Sequence, residues 1–253
     1  MSDLVSIVMP SYNTGRFIKE TIESVLLQTY INWELIIVDD CSTDNTDEVV
    51  NSFQDDRIIY VKNSNNAGAA VSRNKALQLA KGQWIAFLDS DDIWYPQKLE
   101  KQLKFMKDNG YDFTYTMYEE IDENSQKNGK VISGPKKLTR LGMLMYCWPG
   151  CLTVMYNHEK IGYIQICDIK KNNDYAMWLQ VIKKANCYKL NEVLAKYRRR
   201  TGSISNQKYL TLVKWHYRLF KQAGGYNVFV SVLLTGFNLF FGVLKKIVYV
   251  KQK

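Results

Sequence analysis

The chain reads as an α/β protein built on a mostly parallel, Rossmann-like sheet flanked by helices. Two observations carry this. Short apolar runs alternate with helix-period segments through the first ninety residues, which is the pattern of right-handed crossovers between parallel strands. Each apolar run also ends in a polar cluster, and in such sheets ligands gather beyond the carboxyl ends of the strands. With 253 residues, 46% of them apolar, the chain is long enough to bury a sizeable core.

The elements follow in order. Val5-Ser-Ile-Val-Met9, ended by Pro10, is a buried strand. Phe17, Ile18, Ile22, Val25 and Leu26 stand at helical spacing within residues 15–29. Trp33–Val38 is a second strand, followed by Asp39-Asp-Cys-Ser-Thr-Asp44, where Ser42 or Thr43 can cap a helix. Arg57–Lys62 is a third strand, Ala69–Ala80 a helix, and Trp84–Leu88 a fourth strand, the most apolar, ending at Asp89-Ser-Asp-Asp92. Beyond it the pattern predicts a helix over Pro96–Asn109, a strand over Asp112–Tyr118 and a polar loop over residues 120–137. A helix over Leu138–Tyr146, a strand over Cys151–Tyr156 and a helix over Asp174–Lys184 complete the body.

The tail differs. Residues 207–223 place Leu210, Val213, Tyr217 and Phe220 on one helical face and Lys214, Arg218 and Lys221 on another. Tyr226–Leu244 then offers 19 uncharged residues, just short of the ~20 a membrane span needs. Ser231, Thr235, Asn227 and Asn238 make it a poor span, and Gly224-Gly225 allows a bend before it. From Val193 onward there are twelve Lys or Arg and no acidic residue, leaving 22 basic against 25 acidic residues before it, a net of −3. The segment predicts a monotopic or re-entrant association with an anionic membrane face, with packing on the domain or in a homodimer interface as the plainer alternatives. A nucleic-acid groove is disfavoured, because residues 226–244 interrupt the basic stretch. Five scattered cysteines with no zinc spacing, and no leader-like start, predict reduced thiols and a cytoplasmic setting.

Candidate site residues sit at the strand ends. Asp89 and Asp91, one residue apart, suit a hard divalent cation shared with substrate phosphates; a solvated acidic turn is the plainer reading of so short a motif. Asp39 suits the N3 proton of a uracil ring or a ribose hydroxyl. Asn66-Ala-Gly68 is a turn into a helix, with Gly68 allowing close backbone approach. Arg73 is placed either near phosphates or against Asp39, or serves only as a structural arginine. Asp174, at the start of a helix, is either its N-cap or a general base aimed at a substrate hydroxyl.

Taken together these blocks resemble a bacterial family 2 glycosyltransferase of GT-A fold. They are Val5-Ser-Ile-Val-Met-Pro-Ser-Tyr-Asn13, Val38-Asp-Asp-Cys-Ser-Thr-Asp44, Asn66-Ala-Gly68 with Arg73-Asn74, Leu88-Asp-Ser-Asp-Asp92 and Asn173-Asp-Tyr-Ala-Met-Trp178. The ordered set covers roughly residues 4–205 and is far more specific than any one motif. It is similar to enzymes that build capsule, O-antigen or teichuronic-type polysaccharides. The resemblance implies a catalytic domain over 1–205, with a nucleotide-binding half (1–92) and an acceptor-side half (93–205), followed by the 206–253 helical tail. It implies that Pro10, Tyr12, Asn13, Asn66, Gly68, Arg73, Ser90 and Arg200 line the donor site. Asp39 would hold uracil, Asp91 a manganese or magnesium ion, and Asp89 the ribose or the metal. Asp174 would be the base of an inverting transfer from a nucleotide-sugar, with UDP expected, to a hydroxyl of a lipid-diphosphate-linked glycan at the inner leaflet. Asn173 stands where the family often has Glu. Arg200, in Tyr197-Arg-Arg-Arg-Thr-Gly-Ser203, stands where many members have His, and a charged Arg suits the diphosphate rather than a metal. The rival readings are a sugar-phosphate nucleotidyltransferase and a non-catalytic carbohydrate-binding relative.

Overall fold

The computed structural model describes residues 3–167, 169–200 and 209–252. The Thr201-Gly-Ser203 end of the matched blocks and residues 206–208 of the tail lie outside the described residues.

The first half forms as the alternation requires. Strand β1 (Val5–Ser11) leads through helix α1 (Ile18–Leu26) to β2 (Trp33–Asp39). Helix α2 (Thr46–Asn51), β3 (Ile58–Lys62), α3 (Ala69–Leu79) and β4 (Trp84–Phe87) follow. All three pairings among these strands are parallel, with Ser11 in register with Asp39 and Val8 with Phe87. Side chains alternate across β1. Ile7 and Met9 join Ile18, Ile22, Leu99 and Leu103 in one core layer, while Val8 joins Ala76, Phe87 and Trp178 in the layer on the other face. Helix α2 starts after Asn45 rather than after Ser42 or Thr43, because the Asp44 carboxylate accepts from Thr46 N (3.0 Å) and Gly15 N (2.9 Å).

The second half is richer in strands than its sequence suggests. It comprises β5 (Ile93–Trp94), α4 (Lys98–Asn109), β6 (Phe113–Ile121), β7 (Lys127–Ile132), β8 (Lys137–Leu138) and α5 (Arg140–Met145). Then come β9 (Met155–Asn157), α6 (His158–Ile161), α7 (Asn173–Val181) and β10 (Cys187–Arg198). The polar stretch 120–137 is therefore no plain loop: β7 folds back on β6 around a turn at Ser125, whose φ is 63°. Cys151–Tyr156 is no single strand either, because Cys151–Thr153 is a short 3-10 turn and only Met155–Asn157 pairs, antiparallel, with β4 and β6. The longest strand, β10, has no clean alternation of burial and carries two register shifts against β6, which hide it in the sequence.

Helix α8 (Tyr209–Arg218) runs into a π-helical turn, Leu219–Ala223. That turn packs into the domain: Leu219 and Phe220 are fully buried, and the Phe220 ring stands edge-on to Tyr175. Gly225, at φ 69°, turns the chain, and the Asn227 side chain caps α9 (Val228–Val248) by accepting from Val230 N. The chain ends in β11 (Val250–Gln252), which pairs antiparallel with β7. Among the described residues the sheet runs β11-β7-β6-β9-β4-β1-β2-β3, with β10 joining β6 to the short β5 and β8. The tail is thus stitched to the sheet edge.

Candidate active site

The polar strand ends come together. Asp40 N donates to Ser11 O (2.8 Å) and Leu88 N to Val8 O (3.1 Å), so the polar ends of β1, β2 and β4 meet at one rim. Pro10 is buried in β1, and Tyr12 is an exposed ring just past the strand end. Asn13 takes a left-handed conformation, φ 49°, and spans the rim. Its N donates to Ser42 Oγ (2.9 Å) and its Oδ1 accepts from Thr43 N (2.9 Å).

The two carboxylates of the second block divide their work. Asp39 is fully buried and accepts from both the backbone and the hydroxyl of Ser42. Asp40 accepts from Asn63 Nδ2 (2.9 Å), Ala67 N (2.9 Å) and Gly68 N (2.7 Å), fixing the loop that holds exposed Asn66. Gly68 needs its freedom there, at φ 92°.

Arg73 is buried and ion-paired. Its partner is Asp89, not Asp39. Its second guanidinium nitrogen donates to Asn173 Oδ1 (2.6 Å), at the first turn of α7. One buried cation therefore joins the β4 carboxylates to the helix that carries Asp174. Asp174 is not the N-cap; that position belongs to Asn172, and Asp174 accepts only from its neighbour Tyr175 N (2.8 Å) among the described side-chain bonds. Burial raises the Asp174 carboxyl above the ordinary carboxylate range, with the Arg73 charge opposing the shift.

Asp91 is ion-paired to Arg200, Nε to Oδ2 at 2.8 Å. The Arg200 guanidinium therefore lies beside the acidic loop. Burial, with Asp89 adding to it, raises Asp91, and Arg200 opposes. Asp92 is raised further, being enclosed beside two like charges. Ser90 is a spacer in the packing: its hydroxyl accepts from Thr14 Oγ1 (3.1 Å) and its carbonyl from Thr21 Oγ1 (3.1 Å).

Sequence reasoning missed Arg198. Its guanidinium is buried and donates to Asp91 O (2.7 Å), Ser125 Oγ (2.9 Å) and Glu20 Oε2 (2.6 Å), while its backbone N donates to Asp92 Oδ1 (2.8 Å). It ties the acidic loop to α1, to the β6–β7 turn and to β10. The signal for it in the sequence is the three-arginine run Arg198-Arg-Arg200.

A divalent ion fits this donor set in one way. Among the described residues no group of three or more His, Cys, Asp or Glu can enclose a metal. Asp91 and Asp89 offer two carboxylates, so the phosphates of a bound nucleotide have to complete the shell, as magnesium and manganese accept.

A parallel first half with an acidic loop at its fourth strand end, continued by a mixed second half, is the arrangement of the GT-A fold. The chain belongs to the family described as Glycosyl transferase family 2, whose model matches residues 6–158. It is 45% identical over 209 residues to TuaG of Bacillus subtilis (strain 168), named as a teichuronic acid biosynthesis glycosyltransferase, covering 81% of this chain and 83% of that one. It is 44% identical over 211 residues to the UDP-Glc:alpha-D-GlcNAc-diphosphoundecaprenol beta-1,3-glucosyltransferase WfgD of Escherichia coli, covering 83% and 82%. Among solved structures, S. aureus TarS 1–349 in complex with UDP-GlcNAc superposes with a TM-score of 0.74 at 20% identity, covering 91% of this chain and 70% of that one. The last likeness speaks for the fold alone.

Proposed function

We propose that the protein is an inverting glycosyltransferase that moves a sugar from a UDP-sugar to a hydroxyl of a lipid-diphosphate-linked glycan, in surface polysaccharide assembly at the inner face of the cell membrane. The observation that carries the reading is Arg73, which holds Asp89 at the donor rim and Asn173, next to Asp174, in one grip. Donor carboxylates and a candidate base are thereby positioned together. The relatives named for a teichuronic acid step and for a diphosphoundecaprenol acceptor supply the substrate class.

In this mechanism Tyr12 lies against the uracil and Asp39 answers its N3–H. Asn13, Ser90 and the Asn66–Gly68 loop shape the pocket. The acceptor hydroxyl gives its proton to Asp174 as its oxygen forms a bond to the anomeric carbon. The bond from that carbon to the nucleotide's terminal phosphate oxygen breaks on the opposite face, the configuration inverts, and UDP leaves with the electron pair. Asp91, with Asp89, would hold a manganese or magnesium ion, and the family commonly uses a divalent metal. When bound, the ion supplies neutralisation of charge on the departing diphosphate. Arg200 and Arg73 add fixed positive charge beside the same phosphates.

Asp174→Asn tests the assignment. The amide is nearly isosteric and keeps an oxygen to accept from Tyr175 N, so melting temperature and UDP affinity stay near wild type. Turnover falls by about 10²–10⁴-fold, the scale of a lost general base. Normal turnover in the variant would leave Asp174 a structural residue.

A further inference from the structure

Helix α9 is built inside out for a water-soluble protein. Its inward face carries the helix's polar side chains: Ser231 and Asn238 are 0% and 1% exposed and Thr235 is buried, with Leu234 packed into the core among them. Asn238 Nδ2 donates to Leu144 O (3.0 Å) and Tyr175 Oη (3.1 Å), and Lys245 Nζ to Trp148 O (2.9 Å). Its outward face is apolar: Phe229 is 77% exposed, Phe240 64% and Ile247 74%, with Leu233, Phe237 and Val243 between them. A helix that faces water places these two classes the other way round. Of the polar residues that make the segment a poor membrane span, Asn238 fastens it to the domain, while the Ser231 and Thr235 hydroxyls donate back to carbonyls of their own segment.

We propose that the outer face of α9 is a membrane seat. It beds in the interface of an anionic bilayer with the helix axis in the membrane plane, while the inner face stays on the catalytic domain. The 21 residues of α9 form a strip ~30 Å long. Unbroken apolar surface of that extent marks an interaction site. The spacing 229, 233, 237, 240, 243 and 247 keeps the strip on one side of the helix, so it suits a plane. Both ends are tied down: Leu219 and Phe220 sit in the core before it, and β11 pairs with β7 after it. A docked α9 therefore lies flat and does not cross.

Charge selects the partner. No acidic residue occurs after Glu192, and Lys221, Lys246 and Lys251 are exposed around the strip. Anionic headgroups complement that charge, whereas a second copy would set lysines against lysines. The seat deepens the lipid-linked acceptor reading and in its consequence rests on it. Asn238 reaches the hydroxyl of Tyr175, the residue after Asp174, so a seated α9 holds the start of α7 close to the membrane surface.

The test is cosedimentation of the full chain with vesicles of equal parts phosphatidylcholine and phosphatidylglycerol. Wild type binds, and binding weakens in pure phosphatidylcholine or high salt. The triple variant Phe229→Glu, Phe240→Glu, Ile247→Glu loses at least about a hundredfold in partition while its melting temperature and UDP binding hold, since all three side chains are exposed. Depth quenching by brominated lipids of a probe on Phe229→Cys, Phe240→Cys and Ile247→Cys reads equal, shallow depth at all three. A deep centre with shallow ends would overturn the in-plane seat in favour of a span. Wild-type indifference to anionic vesicles, with a stable dimer in light scattering that the triple variant breaks, would assign the face to a second copy. Vesicle binding needs no turnover, so the seat can fail while UDP binding and transfer persist, or stand while they fail.

Discussion

Arg73 is where the charges of the two halves are balanced, and its effect on Asp174 can be read in a pH profile. A base works ionised, so kcat/KM falls as pH drops through the pKa of Asp174. That pKa lies above the ordinary carboxylate value because burial outweighs the Arg73 charge. Arg73→Gln removes the charge that favours the anion, so the acid limb moves to higher pH. The same substitution at half-buried Arg57, whose partners are Asp55 and Trp33, leaves it in place. A limb unmoved by Arg73→Gln would show that the titrating group is not Asp174. The places of the candidate residues were legible in the sequence: Asp39, Asp89 and Asp91 stand just past apolar strands, and Asp174 opens an apolar helix. Their partners were not. Arg73 with Asp89, and Arg200 with Asp91, are ion pairs between separate elements, and no local pattern states which carboxylate a cation will reach.

At the scale of elements, the tail is part of the catalytic body. Truncation after Tyr209 would strip Leu219 and Phe220 from the core and leave Tyr175 and Trp148 uncovered. Two fully buried apolar side chains alone are worth about 3–6 kcal/mol, a large share of a domain's total stability. The truncated chain is therefore expected to lose its cooperative melt, read by circular dichroism or calorimetry, and to bind UDP poorly. A well-folded truncated protein with native nucleotide affinity would show α9 to be a dispensable appendage. Strands β1 to β4 were legible because each is a short apolar run closed by a polar turn. Strands β7, β8 and β10 were not. Their residues alternate imperfectly, with Lys189, Asn191 and Glu192 inside β10, and they are strands because β6 and each other complete their hydrogen bonds.

Across the whole molecule charge is segregated, and the proposed donor site lies among the acids. Asp39, Asp40, Asp89, Asp91 and Asp92 gather at one rim, with Arg73 and Arg200 the cations paired to Asp89 and Asp91. A diphosphate brings more negative charge, which the two arginines meet in part, so nucleotide binding and metal binding should help each other. UDP at a hundred times its dissociation constant stabilises by about 2.7 kcal/mol, a rise of roughly 5–11 °C in melting temperature for a chain of this size. Manganese added with UDP enlarges the shift beyond what either gives alone. Asp91→Ala removes the carboxylate that Arg200 now neutralises, freeing that guanidinium for the phosphates. The variant therefore keeps a shift with UDP alone and loses the increment from manganese. A wild-type shift that is full in excess EDTA, and equal in the variant, would rule out metal-assisted donor binding. A larger shift with GDP than with UDP, at matched concentrations, would replace the uridine assignment while leaving the metal result intact, because the two readouts depend on different ends of the same ligand.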